Sequence, residues 1–493
     1  MKGCILLLVS FTILMGISLA QNATTGDVNA FKQALEKDGF TVQQGSLGYL
    51  DLIKLYDQGV LPAAYGNNPA TKYLTYFVPP APGYKVPGLF AKIAVALGMG
   101  TDVSAFWSLR SDEAIVFVGR TPPECRYFSY DYYLLSRTYG NETRWLFVPL
   151  SDTVNNFDIS TEGTPNGLPG NPFNQTTMIV ATADKDIDQR IRNAALSAGY
   201  SGDIFNTQVL PSKMLDMGLE NSSDNFLMLI RPALYKDKQA GDNYRNNVPA
   251  AVFRVTPNES TGLDPYNYPV LGVRGTGKTE FDLMDDLNQL RNAILNRYSD
   301  LNATELPTSI ATPSGSDGIQ KGIDALGPDN DACYLWTSNR TPDSRTPPFP
   351  NLSQYYDFVP HPAITLGNDP NEFIIVYGVN HVATGKATYE NIVPYGEEFN
   401  GIGEINDTAL DGTAEAYLPN DPNAKYLYVY KIVRNCNGEP HCFVVPTGPG
   451  AYGIGLDQTL FIGWRLYLEK ATKTGPSYSE IVYDRAIKFS PKK

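Results

Sequence analysis

The residues able to do chemistry in this chain are few, and they are scattered. The sharpest motif is Gly272-Val-Arg-Gly-Thr-Gly277-Lys278-Thr279, which matches the phosphate-binding loop G-x-x-x-x-G-K-[ST] letter for letter. Such a loop cradles phosphate with backbone amides at a helix N-terminus, and its lysine adds charge. Here no buried strand ending in Asp offers a magnesium partner, and no βαβ repetition surrounds the motif. It is read as a glycine-rich turn in which Thr279 caps the next helix, and no cofactor is predicted.

Asn380-His381 follows the apolar run 373–377, and Lys386 and Tyr389 come soon after. An acid–base cluster is one reading of this group, and ordinary loop hydrogen bonding is the plainer one. Glu280 and Asp152 are nominated as carboxylates from among many acids. A metal site built from His361, His381 and His441 would need all three, so no metal is predicted. No G-x-S-x-G elbow occurs. Arg126, Arg231, Arg254 and Arg274 recur at strand ends and, with Asn380, are candidates for gripping a ligand carboxylate or sulfate. Pairing with the protein's own acids is the commoner fate of such arginines.

The elements that must position these residues are organised around 111–133. Residues 113–119 form an apolar run, 126–134 interleave aromatics with small or polar groups, and Pro122-Pro123 forces a turn between them. A hairpin is predicted. A fainter copy lies at 371–392: at a constant offset, Glu113, Ile115, Gly119 and Tyr130 recur as Glu372, Ile374, Gly378 and Tyr389. Two related halves are expected. Helices are predicted over 27–38, 47–56, 89–97, 187–198 and 280–298, and strands over 145–150, 178–183, 204–210, 226–230 and 250–255. Further strands are expected over 373–377, 426–434, 441–445, 459–468 and 481–489. The fold class is α+β: two strand-rich mixed domains, with largely antiparallel sheets and a few packed helices. The expected limits are 21–298 for the first domain, 299–350 for a polar linker and 351–493 for the second.

Residues 1–20 read as a signal peptide, with Lys2, an apolar stretch at 5–17 and a small-residue site at Ala20. Nine sequons agree with export: Asn22, Asn141, Asn174, Asn221, Asn258, Asn302, Asn339, Asn351 and Asn406. Cys4 leaves with the signal peptide. Of the four cysteines left, Cys436 and Cys442 bracket a turn and are expected to bridge, which leaves Cys125 to pair with Cys333.

A net charge of -13, from 39 basic and 52 acidic residues, argues against nucleic acid and anionic membranes. No later stretch is apolar enough to span a bilayer. The expectation is a secreted glycoprotein with a binding or scaffold role toward an extracellular protein, glycan or small acidic ligand. The alternative is a secreted enzyme acting on an extracellular polymer or small acidic substrate.

Overall fold

A computed structural model describes residues 26–61, 63–260, 262–311, 315–337, 364–448 and 452–492. The expected signal peptide, His361, Asn22, Asn339 and Asn351 lie outside them. The protein is α+β, with strand-rich, largely antiparallel sheets and a few packed helices.

Among the described residues, ten strands build the first half: β1 (Phe40–Gln44), β2 (Ser46–Tyr49), β3 (Leu74–Phe77), β4 (Ala114–Arg120), β5 (Ser129–Tyr139), β6 (Glu142–Pro149), β7 (Thr176–Thr182), β8 (Phe205–Val209), β9 (Asn225–Ile230) and β10 (Ala250–Pro257). Ten more build the second: β11 (Leu301–Leu306), β12 (Ser309–Ile310), β13 (Ala332–Trp336), β14 (Phe373–Val379), β15 (Tyr389–Gly396), β16 (Ile405–Asn406), β17 (Leu427–Val433), β18 (Cys442–Val444), β19 (Leu460–Tyr467) and β20 (Arg485–Pro491). Three short strands, Cys125–Tyr127, Val154–Asn155 and Ala233–Tyr235, stand outside this count.

The sheets of the first half run β1-β10-β4-β7-β8 and β2-β3-β9-β5-β6, and those of the second run β11-β20-β14-β17-β18 and β12-β13-β19-β15-β16. Each strand of the first half therefore reappears ten strands later in the same place. Orientation repeats as well: β7 with β8 and β17 with β18 are the parallel pairs, and every other pairing on these four paths is antiparallel. The faint internal copy thus marks a duplicated architecture.

The matched residues do equivalent work. Ile115 lies opposite Arg254 on β10, and Ile374 lies opposite Lys488 on β20. Glu113 grips Arg254 at 2.9 Å, and Glu372 grips Lys488 at 2.8 Å. A Cβ on Gly119 would meet Ala250 Cβ at 2.2 Å, and one on Gly378 would meet Asp484 Oδ1 at 2.3 Å, so neither position has room for a side chain.

The predicted hairpin does not form. β4 and β5 belong to different sheets, and the Pro122-Pro123 turn carries the chain from one layer to the other. Ile115 and Phe117 face Tyr130 and Tyr132 across the gap between the sheets, so the aromatics of β5 pack on β4 instead of pairing with it. Ala114, Val116 and Val118 face α1 (Val28–Lys37) and α2 (Lys185–Ser197) on the other side. Burial on both faces explains why 113–119 is apolar without alternation. The second half repeats this arrangement: Phe373, Ile375 and Tyr377 pack against Leu287, Leu290 and Ile294 of α3 (Met284–Arg297), and Ile374 and Val376 face Trp464 and Leu466. Full burial of each such helix side chain contributes about 1.5–3 kcal/mol.

Two other expectations need correction. Residues 299–350 are no plain linker, because β11, β12 and β13 lie there and pair with β20, with each other and with β19. The 47–56 segment is split between β2 and a helix over Leu52–Asp57, capped by Asp51. Turn and loop residues followed by a single short amphipathic run had hidden both.

Candidate functional site

The acid–base candidates do converge. Glu280, at the entry to α3, meets the loop after β14, and its two oxygens lie 2.9 Å from His381 Nδ1. Asp484 Oδ2 lies 3.4 Å from His381 Nε2 on the other side. Thr384 Oγ1 and the Val482 amide also donate to Glu280. Tyr428 donates to Asp484, and Trp464 Nε1 donates to Tyr428, so the hydrogen-bond chain reaches the sheet core. The His381 ring is buried, 1 % exposed. Burial opposes its charge, but Glu280 and Asp484 outweigh burial and push its pKa well above the usual histidine value. Burial likewise tends to raise Glu280, yet His381, Thr384 and the Val482 amide hold it below the ordinary carboxylate range. The backbone N–H of His381 donates to Glu390, whose carboxyl is pushed well above its usual value by burial.

Lys386 lies on the same loop, and its Nζ reaches Glu469 at 3.0 Å and Glu480 at closer range. The Thr276 and Gly277 amides of the Walker-like loop donate to the same Glu480, at 3.0 and 2.6 Å. Lys386 and these amides hold Glu480 down at about 2. The amides that would cradle a phosphate thus already hold a carboxylate of the protein, and Lys278 is exposed. No buried strand precedes the loop, and the N-cap of the short 3-10 turn ahead of α3 is Glu280, so Thr279 does not cap it. Glu280, Thr384, Lys386, Thr276 and Glu469 border a cleft of about 910 Å³, whose open wall carries Lys278, Asp282 and Lys470.

The remaining candidates lie apart from this cleft. Asn380 Oδ1 accepts from the Ala383 amide and shapes the turn. Tyr389 stacks on Tyr467 and donates to Glu404. Asp152 accepts from the Gly272 amide, and burial raises its pKa. Arg126 pairs with Asp407. Arg231 binds Tyr133 Oη and the Gly327 carbonyl, with Asp329 at 3.8 Å. Arg254 binds Glu113 and the Ser108 and Pro79 carbonyls. Arg274 holds the Asn330 and Ala332 carbonyls. All four arginines therefore serve internal ties. His441 is exposed and does not approach His381.

Cys436 and Cys442 are bridged, as expected. Cys125 and Cys333 are not: each is a buried free thiol, with Cys125 Sγ against the Tyr127 carbonyl and Cys333 Sγ against that of Pro476. The halves are tied by polar contacts instead. Asn391 Nδ2 donates to Asn68 Oδ1 at 2.8 Å, and the Gly401 amide donates to Asn67 Oδ1 at 2.8 Å. Tyr127 donates to Asp329 and Asp331. These two aspartates and Asp131 are fully buried, and burial pushes Asp131 and Asp331 well above the carboxylate range. Sequence reasoning missed this group. Its one trace is Asp329-Asn-Asp331, two acids spaced to share a face at the entry to an apolar run.

No family model and no curated protein matches this chain. Among solved structures, it is similar to an uncharacterized protein from Burkholderia cenocepacia, at 10% identity over 93% of this chain and 86% of that one, with a TM-score of 0.37. A protein from Vibrio parahaemolyticus gives 11% identity over 95% and 100%, with a TM-score of 0.33. An enterococcal surface protein, partial N-terminal region, gives 8% identity over 89% and 85%, with a TM-score of 0.16.

Proposed function

We propose that this chain is an exported, N-glycosylated protein that binds or scaffolds outside the cell and does not catalyse. One observation carries the reading. His381 and Lys386, the two acid–base candidates on the loop after β14, are each held by two carboxylates of the protein itself. A general base must be within hydrogen-bond reach of its substrate and must change protonation near the working pH. An imidazolium buried between Glu280 and Asp484 meets neither demand. Export is supported by the leader-like sequence of 1–20 and by the exposure of Asn141, Asn174, Asn221, Asn258 and Asn302, with Asn406 half-buried. The bridge between Cys436 and Cys442 suits an oxidising compartment. The extracellular partner, on this reading, is a protein, a glycan or a small acidic ligand.

The enzyme reading retains one supporting feature, the open wall of the cleft with Lys278, Asp282 and Lys470. Expression in a secreting host tests both. The binding reading expects a mature N-terminus at Gln21, a mobility shift on deglycosylation and no turnover of polysaccharide, peptide or ester panels. A turnover abolished by Lys386→Met in a folded protein would replace it with the enzyme reading.

A further inference from the structure

Five of the sixteen large apolar side chains that are exposed among the described residues fall within the single stretch 263–273. Val270 is 95 % exposed, Val273 81 % and Leu271 54 %. The stretch joins the two halves, and residues 266–273 form neither helix nor strand. Tyr266 anchors its upstream end, with its amide on the Ala183 carbonyl and its hydroxyl on Asp188. Downstream, Arg274 holds the Asn330 and Ala332 carbonyls, and the Thr276 and Gly277 amides hold Glu480. Between these anchors, and among the described residues, the backbone of 267–272 makes one hydrogen bond, from the Gly272 amide to the Asp152 carboxylate. One such bond contributes about 0.5–1.5 kcal/mol, so this strap lifts from the surface readily.

The placing of that bond is specific. A Cβ on Gly272 would lie 2.6 Å from Thr474 Cγ2 and 3.3 Å from Asp152 Oδ2, so the backbone is seated against Asp152 where only glycine fits. Asp152 is partly buried, and burial raises its carboxyl. The nearby Arg274 is committed to main-chain carbonyls, which leaves Asp152 without an ion pair among the described residues. The bond from Leu271 to Gly272 carries an exposed leucine on its acyl side. Tyr268 is followed by Pro269, which cannot offer the N–H of an ordinary peptide bond. An endopeptidase with a large apolar primary pocket therefore finds its target at Leu271, whereas the occupied guanidinium of Arg274 is withheld from one that reads basic residues.

We propose that the strap is a processing site, at which such an endopeptidase cleaves after Leu271 and the new N-terminus at Gly272 pairs with Asp152. Water adds across the peptide bond. The C–N bond breaks, the Leu271 carbonyl carbon leaves as a carboxylate, and the Gly272 nitrogen takes up the protons as an ammonium. The donor that already faces Asp152 thereby gains a charge, and a single hydrogen bond becomes an ion pair. The cut chain stays together, because Tyr127 with Asp329 and Asp331, and Asn68 with Asn391, join the two fragments. Cleavage thus turns the linked halves into a two-chain protein fastened at Asp152. The inference concerns the linker alone and stands apart from the binding reading.

Limited digestion of the full folded protein with chymotrypsin tests the cut. N-terminal sequencing is expected to find a chain that starts at Gly272, and both fragments should elute together in size-exclusion chromatography. Leu271→Asp, at an exposed position, should slow this cut at least about tenfold without moving Tm, because a charge is costly in an apolar pocket. Acetylation of the new amine at pH 7 reads the pairing. One unit of pKa is a factor of ten in free amine, so Gly272 should react at least about tenfold more slowly in the folded two-chain protein than in urea. Asp152→Asn should remove that protection, and the comparison on the unaltered sequence stands even if this variant misfolds. A strap left intact by chymotrypsin, fragments that separate, or a Gly272 amine as reactive folded as unfolded overturns the proposal. Turnover, which decides the binding reading, is untouched by any of these results.

Discussion

Replacing His381 by Gln tests the central claim about the cleft, that this histidine is a structural cation. The side chain is 1 % exposed and stands between Glu280 at 2.9 Å and Asp484 at 3.4 Å. Gln is similar in reach but neutral, so the substitution leaves two buried carboxyl groups without their cation. Breaking a buried pair by removing one partner costs about 3–5 kcal/mol. For a cooperative unit of 150–250 residues, each kcal/mol moves Tm by about 2–4 °C, so a fall on the order of 6–20 °C is expected in the second-half transition. The pH dependence adds a signature that loss of packing cannot mimic. His381 has its folded pKa raised, so its contribution is complete below the usual histidine value of 6.5 and is lost as pH rises through the folded value. Glu280 has its folded pKa lowered, so its contribution is present above 4.5 and is lost as pH falls through the folded value. The native protein should therefore lose stability on both sides of a window that lies between these limits, and His381→Gln should flatten the alkaline arm. Urea melts at a series of pH values read this directly. A loss below about 1 kcal/mol, or an unchanged alkaline arm, would refute the structural-cation account.

Gly378→Ala should weaken the same network, because the new Cβ displaces Asp484; a loss of roughly 1–3 kcal/mol is expected, and thermal melts compared with an exposed Gly262→Ala control, where a Cβ meets nothing within 4 Å, would read it. Gly119→Ala should behave alike in the first half, where Ala250 blocks the space. Peptide mapping without reduction should find Cys436 joined to Cys442, and Cys125 and Cys333 should resist alkylation until the protein unfolds, since burial pushes both thiols up. Replacing Cys436 and Cys442 by Ser should cost about 2 kcal/mol on the chain-entropy account of so short a loop. Lys278→Ala should leave stability within ~0.5 kcal/mol of the parent, and calorimetry with ATP and magnesium should show no binding to either protein; micromolar ATP binding would restore the phosphate-loop reading.

The periodic parts of the fold were legible in the sequence. The apolar face of α3 and the buried runs of β4 and β14 carry their burial in their composition. The partner of β4 was not legible, because a buried run pairs equally well within its own sheet or packs against a second one. Only long-range register, such as Arg254 opposite Ile115, separates the two cases. The site was legible in part. His381, Glu280 and Lys386 were singled out as strand-end or helix-entry residues; His381 and Glu280 do meet, and Lys386 lines the same cleft as Glu280. Their role was not, because the deciding partners, Asp484, Glu469 and Glu480, sit about a hundred residues further on among many ordinary acids.

The matching strand orders also constrain how the chain can assemble. In each half the opening strand pairs with the closing one: β1 with β10, and β11 with β20. β10 and β20 also lie against the buried runs β4 and β14, so neither five-stranded sheet is continuous until its last strand arrives. During synthesis the first half is complete once Pro257 has left the ribosome, before the strands of the second half, from Leu301 onward, have emerged. The second half must wait for Arg485–Pro491, the last strand of its own sheet to be made. Long-range closure of this kind is slow, and it leaves strand edges open meanwhile. The finished first half, with Asn67 and Asn68 already in place, is then a folded surface on which the later half can dock. The duplication thus turns the direction of translation into an order of folding.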